Sequence, residues 1–413
     1  MTTSRRVVLG AVLAAPAVLR HARADANPVA FGALYPFSGV LALLGDESYR
    51  GLELAVDERN AAGGLLGRPI RLLKGDAVDP NAAVAEARRL MTAEKVAAIF
   101  GTYASPLVFA ASQVTELAGI PYFELGAISD AVTERGFRNL FRSCPVSSAF
   151  ATVSVEALVG TLAPLWGVPP SRLKIALLHE DGLYGTAVST VQASRCKELG
   201  LNVVDNLGYA ASTADLSSVV QRLRGAETEV VLHTGYQNDV VLFFRQMKQV
   251  GWHPRMVVGA GGGYSLTDTA NAGGSDFEGA MDVDFTPYDV NPAAAPGVRE
   301  VEGAYEKKYG AKPRSGHSLA NFMGARLFLD AIARAGIVDV PRAGALDKDK
   351  IRAAVLATDV PVGATATGWG AKFDEKGQNT RARPLLLQWQ GGILRTVAPT
   401  EAAVATLRPT LGG

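Results

Sequence analysis

From residue 29 onward, short β-rich apolar runs alternate with longer runs of helical period, and the alternation occurs in two successive sets. That pattern is the signature of βαβ units, in which helices connect parallel strands and cover the sheet. The first set of strands is read in VAFGALYPF, RPIRLLKGDA, VAAIFG, IPYFEL and NLFRSC, and the second in LKIALLHE, LNVVDNLGY, TEVVLHTG, RMVVGA and FEGAMDVDF. Between them, Leu52, Ala55 and Val56 recur at helical spacing over residues 51–61, and Asp79 before Pro80 is placed to cap a helix over 81–93. The second set predicts helices over 185–199, 215–224, 238–250 and 266–272. A chain of 413 residues, 48% of them hydrophobic, is longer than one core usually supports, so two α/β lobes follow. After Thr286-Pro287 come a helix over 292–309, an apolar helix over 318–335 and a closing hairpin about Gly391-Gly392.

The first residues belong to a different kind of segment. A basic start, an apolar stretch and the small-x-small ending Ala22-Arg23-Ala24 mark residues 1–24 as a cleaved export signal, and Arg5-Arg6 behind Ser4 fits a twin-arginine variant. The apolar run from Val7 to Leu19 is too short to span a bilayer, and no later uninterrupted run of about 18 apolar residues is found, so no membrane insertion is expected after signal removal. Removing residues 1–24 takes away four arginines and no acid, which moves the net charge from +1 to −3 and gives no footprint for a nucleic-acid partner. Cys144 and Cys196 are the two cysteines. An oxidising compartment permits a bridge between them, and the sequence leaves paired and separate thiols both open.

In open parallel sheets, ligands bind beyond the carboxyl ends of the strands, where the N–H groups of following helices point outward. Two neighbouring turns fit that position. The first, TYAS, offers Ser105 as a helix cap with Pro106 behind it; the second, GAIS, has Gly126 for a tight turn and Ser129 or Asp130 as cap. Both are expected to aim uncharged donors at an anion such as a carboxylate, although Ser105 could equally do no more than cap its helix. In the second set, Tyr184 and Tyr236 stand at equivalent strand-to-helix turns, each with a flat apolar face and a hydroxyl suited to closing on a small solute.

Catalytic signatures are poor. Ser171 and Lys174 match S-x-x-K but precede a strand without a companion motif. His179 has no second histidine at metal spacing, and the five histidines are scattered, so neither a metal nor a metal-dependent activity is expected. GAGGGY from Gly259 lacks the third glycine of a dinucleotide fingerprint, because position 264 is Tyr264, and no phosphate-binding loop is found. The chain reads as a binder without a cofactor, not as an enzyme.

The stretch from LYPFSGVLALLGDESYRGLELAVDERNAAGGLLGRPI through GTYAS, continued in LFRSCP, EDGLYG and GYQNDVVLFFRQMKQVGW, resembles the leucine/isoleucine/valine-binding family of periplasmic receptors for ABC importers. The resemblance implies a type I periplasmic binding protein: two doubly wound parallel-sheet lobes joined by a three-segment hinge that shuts on the ligand. Mapped here, it puts the crossings near Ser143-Cys144, near Asp284-Phe285 and between Val360 and Trp369. The lobes would then be residues 29–143 with 285–365, and 144–284 with 366–413.

The same resemblance assigns Ser105 to the solute carboxylate, with Tyr103 and Ala104 beside it, and Tyr184 and Tyr236 as contacts from the second lobe. Gly126, Ala127 and Ile128 match a turn whose backbone and threonine hydroxyl contact the ligand, but here the threonine is Ile128. The acid that pairs an ammonium should fall near Gly261 to Gly263, where the chain has glycines and then Tyr264; Leu44 stands where an aromatic can occur. Glu124 or Asp181 is left to replace that acid, and His317 is a further contact candidate or a helix-start residue. These departures point away from an ordinary α-amino acid and toward an organic acid or amide. The implied partners are a small-molecule solute and an inner-membrane ABC permease, met by a periplasmic monomer. A sensor module signalling to a membrane kinase or chemoreceptor is the alternative.

Overall fold

The computed structural model describes residues 27–336 and 346–412, so the expected export signal lies outside the described residues. The first lobe carries β1 (Val29–Tyr35), α1 (Ala42–Ala61), β2 (Ile70–Asp76), α2 (Pro80–Thr92), β3 (Ile99–Phe100), α3 (Ser105–Ala118), β4 (Tyr122–Glu124) and β5 (Leu140–Arg142). Its five strands are parallel in the order β2-β1-β3-β4-β5. Asp79 caps α2 as its sequence position suggests, accepting the Ala82 N–H at 2.8 Å.

The second lobe follows with α4 (Ser147–Ala157), α5 (Ala163–Trp166), β6 (Ile175–Glu180), α6 (Leu183–Glu198), β7 (Val203–Tyr209), α7 (Ser217–Gly225), β8 (Val230–Thr234), α8 (Gln237–Gln249), β9 (Met256–Gly259), α9 (Thr267–Gly273) and β10 (Met281–Asp284). The chain then returns to the first lobe through α10 (Val298–Tyr309), α11 (His317–Ala335), α12 (Lys348–Leu356), β11 (Asp359–Val360) and β12 (Ala371–Lys372). It ends in the hairpin β13 (Leu385–Gln390) and β14 (Ile393–Ala398). That hairpin turns on Gly391 and Gly392, both at positive φ, and adds two antiparallel strands to the sheet β14-β13-β10-β9-β8-β6-β7.

Each sheet is covered on both faces. In the first lobe Phe31, Phe100 and Phe123 meet α1, α10 and α11 on one side, with the Phe123 and Phe328 rings 4.6 Å apart, while Leu34 and Ile99 pack with Leu90 of α2 and Leu107 of α3 on the other. In the second lobe Leu177 and Val258 face α4 and α6, and Val231, Phe243 and Trp389 fill the opposite side.

Three sequence expectations need correction. The helix expected over 292–309 starts at Val298, after a turn through Gly297. The third crossing lies beyond the stretch 360–369, because β12 pairs with β11 and the Phe373 ring packs against that of Phe328 at 5.5 Å, which keeps residues through 373 in the first lobe. The boundary at 365 therefore moves to about residue 380, where Asn379 donates to the carbonyls of Ser143 and Gly370 at 3.0 Å. Finally, a helix stands between NLFRSC and LKIALLHE, where the sequence reading placed none: α4 and α5 join through a π-helical turn into Ser147–Trp166, which is long and apolar enough by composition to cross a membrane although no uninterrupted apolar run of that length occurs in it. Phe150, Val155, Leu158 and Leu162 bury it in the second core, as for an internal helix of a globular lobe. Cys144 and Cys196 are both buried free thiols.

Candidate ligand-binding site

The first sheet reverses its strand order between β1 and β3, and the second between β6 and β8. These are the switch points at which open α/β sheets leave a crevice, and here the two crevices face each other. The loops behind them line a narrow cavity where the two lobes meet. Tyr103, Ser105, Gly126 and Ile128 line it from the first lobe, and Phe150, Tyr184, Tyr236 and residues 260–262 from the second. Asp284 and Phe285 enter from a crossing segment, and His317 from the start of α11.

The two turns of the first lobe are held by one buried carboxylate. Glu124 accepts the N–H groups of Thr102 (2.7 Å) and Tyr103 (3.3 Å) from one turn, and of Leu125, Gly126 and Ala127 (3.0, 2.8 and 2.7 Å) from the other. Burial pushes its pKa up, and these N–H groups pull it back by favouring the charged form. Arg142, also fully buried, takes the Ala127 and Ser129 carbonyls at 3.0 and 2.6 Å. Gly126 is required by closeness: a Cβ there would sit 2.9 Å from the Tyr103 Cβ. Tyr103 itself is held at φ 93°, a strained value for a non-glycine residue of the kind that collects at binding sites.

This arrangement corrects the expected donor pattern. The Gly126 and Ala127 N–H groups are spent on Glu124, so they are not offered to a solute. Ser105 is the first residue of α3 and not its cap, a place taken by Ala104; its Oγ accepts the Ser129 N–H at 3.2 Å, a contact that leaves the hydroxyl hydrogen unused. Asp130 caps neither turn but the next helix, accepting the Ser148 N–H at 2.9 Å and the Ser147 and Ser148 hydroxyls.

From the opposite side, the Tyr184 hydroxyl donates to the Ala260 carbonyl and its ring lies 5.2 Å from that of Tyr236. The Tyr236 hydroxyl is buried with no hydrogen-bond partner among the described residues. Gly262 leaves room for this wall, since a Cβ there would come within 2.8 Å of the Tyr184 hydroxyl. Ile128, Phe150 and Phe285 supply the apolar surface.

The cleft does contain an acid, contrary to the expectation from the glycines at 261–263. Asp284, at the end of β10 and 2% exposed, faces the cavity with its Oδ2 3.7 Å from His317 Nδ1, longer than a hydrogen bond. Burial pushes its pKa up to about 7, and burial lowers that of His317 to about 3, so the imidazole is neutral. Neither acid named as a substitute serves: Glu124 is committed to five N–H groups, and Asp181 is not on the cavity wall. His317 is both the first residue of α11 and part of the lining.

Four other expected residues lie elsewhere. Ala104 and Ala127 are buried in the first lobe behind the lining. Leu44 borders a separate small cavity together with Tyr103, Tyr236 and Leu266. Tyr264 turns into the second core, where its hydroxyl meets His233 Nδ1 at 2.6 Å, because Gly259 leaves space for its ring. Sequence reasoning missed Asp284, Phe285 and Phe150. The first two were legible only as a crossing point, and the signal available was an acid at the carboxyl end of a strand next to that crossing.

A profile of a periplasmic binding protein family matches residues 28–392. The Leu/Ile/Val-binding protein homolog 7 of Brucella suis is 48% identical over 397 residues, which span 96% of this chain and 98% of that protein. Homolog 8 of Brucella abortus is 49% identical over 408 residues, 98% of both. Among solved structures, a branched-chain amino acid transporter substrate-binding protein of Streptococcus pneumoniae in complex with isoleucine superimposes with a TM-score of 0.74 at 21% identity, over 89% of this chain and 97% of that one. A solute-binding protein of Rhodopseudomonas palustris in complex with 4-hydroxybenzoate gives 0.74 at 20% identity, over 92% and 98%.

Proposed function

The chain belongs to the periplasmic binding protein family, and from that premise we propose that it captures a small organic solute between its lobes and delivers it to an ABC permease. The observation that carries this reading is the cavity at the facing switch points, to which both lobes and a crossing segment contribute side chains. Such a site is complete only when the lobes are together, so a solute that bridges them favours the shut form by the contacts it adds there. A permease that recognises the shut form then receives loaded protein in preference to empty protein.

Ser105 is placed to hydrogen-bond a polar or anionic end of the solute, with the first-turn N–H groups of α3 behind it. Ile128, Phe150, Phe285 and the Tyr184–Tyr236 pair would hold an apolar body, with Tyr103 and His317 closing the rim. This suits carboxylates, amides and amino-acid-like solutes, and the protein works in the periplasm as a monomer. The test is a thermal-shift panel of such compounds on protein refolded free of ligand. A true ligand at 100 times its Kd raises stability by about 2.7 kcal/mol. A protein that no member of the panel stabilises, or whose ligand binds equally well when Tyr184 and Ser105 are both replaced by Ala, would overturn the reading.

A further inference from the structure

We propose that Asp284 selects for solutes that carry a protonated nitrogen, with the acid supplied from the crossing segment and not from the loop over residues 261–263. The inference rests on the solute-receptor reading and names the chemistry of one end of that solute. Its ground is geometric. Gly261, at φ 75°, lies directly before the carboxylate, and a Cβ at that position would come 3.1 Å from Asp284 Oδ1 and 3.2 Å from the Phe150 ring. The glycines that remove an acid from the loop are thus the ones that uncover the acid behind it.

Among the described residues, the groups facing Asp284 leave it without a cation. On its own strand stands Asp282, fully buried, with Oδ1 accepting the Gly261 N–H at 2.8 Å and Oδ2 without a partner among the described residues. The loop after β9 gives the Ser265 hydroxyl, the crossing gives the Phe285 N–H, α6 gives the neutral phenol of Tyr184, and α11 gives a neutral imidazole at His317. Among the described residues, neither lysine nor arginine lines the cavity. A buried carboxylate in such surroundings is costly until a positive charge arrives. Burial accordingly holds the empty site's carboxyl near neutrality, with a pKa of about 7. A cationic nitrogen placed against it favours ionisation, so binding below that pH expels a proton.

Titration calorimetry on the ligand-free mature protein tests this with solute pairs that differ only in the amine: leucine against 4-methylpentanoate, phenylalanine against 3-phenylpropanoate, and 4-aminobutyrate against butyrate. The expected result is at least tenfold tighter binding of the amine-bearing member in one or more pairs. Asp284→Asn and Asp284→Ala, checked for folding by their melting curves, should abolish that preference. At pH 6, repeated in buffers of different ionisation heat, the wild-type protein should release protons on binding the amine; this readout needs no variant. Equal or tighter binding of the nitrogen-free acids, with proton uptake or none, overturns the role of Asp284 while leaving the receptor reading intact. Failure of every compound to bind overturns both.

Discussion

Glu124 shows how much one side chain can organise without touching a solute. Its two oxygens collect five backbone N–H groups from two turns, so neither turn can shift without leaving buried donors unpaired. Glu124→Gln keeps the volume but turns an amide N–H₂ toward N–H groups. It is expected to lower unfolding stability by about 1–3 kcal/mol in urea titrations and to weaken solute binding through the loosened turns. Asp284 makes a prediction in pH. Its pKa of about 7 lies above the ordinary 3.8, so the folded protein keeps a proton that the unfolded chain releases. Wild-type stability from this group is therefore full at low pH and is lost as pH rises through about 7. His317, with its pKa lowered to about 3, contributes the opposite slope below its ordinary value of 6.5, so the comparison with a variant is more telling than the wild-type curve. Ligand-free Asp284→Asn should gain stability relative to wild type as pH rises from about 4, levelling off above about 7. At this scale the sequence was only half legible. Ser105, Tyr184 and Tyr236 announce themselves by their places at strand ends, whereas Asp282 and Asp284 alternate with Met281 and Val283 as they would on a strand with one wet face. β10 is instead flanked by β9 and β13 in a sheet covered on both sides, which nothing local to FEGAMDVDF reveals.

Among elements, the paired turns after β3 and β4 depend on an absence of side chain. Gly126 does not need a left-handed backbone, so its conservative replacement tests packing alone. The methyl of Gly126→Ala would press on the Tyr103 backbone and Cβ, at 3.1 and 2.9 Å, and Tyr103 cannot yield because its own N–H is tied to Glu124. Such overpacking typically costs about 1–3 kcal/mol. The expected outcome is a lower melting temperature together with solute affinity weakened tenfold or more; unchanged affinity would mean that the turn does not shape the cavity. The βα alternation made these turns easy to place in the sequence, but Gly126, expected there for a tight turn, is needed for its closeness to Tyr103. The destination of its N–H was not readable, because the carboxylate that takes it belongs to the preceding strand and is seen only once that strand is folded. The same holds for Asp130, which looked like a local cap and in fact secures α4 across the crossing.

For the whole molecule, the question is what holds the lobes together besides a solute. The Thr267 N–H of the second lobe donates to the Arg314 carbonyl of the first at 3.1 Å, and Arg314 approaches Asp268 at 3.8 Å. That ion pair is partly exposed and is worth little. Leu266 is a stronger contributor: it comes from the second lobe yet is 1% exposed within the first lobe's cluster, beside Leu44 and Tyr103. Two lobes were expected from length and from the repeated pattern, but a contact of this kind joins residues 222 positions apart in sequence and carries no local signature. The late third crossing escaped notice for a similar reason, since β11 and β12 are two-residue strands too short to register as periodicity. If Leu266 is wetted when the lobes part, burying it favours the shut form by about 1.5–3 kcal/mol. Leu266→Ala then shifts the empty protein toward the open form, and apparent affinity falls in proportion to the lost shut fraction. The expected result is solute binding weakened about tenfold or more, a larger radius of gyration in small-angle scattering without solute, and a normal radius once solute saturates. A variant that melts earlier but binds with undiminished affinity would place Leu266 in the folding of one lobe and not in closure.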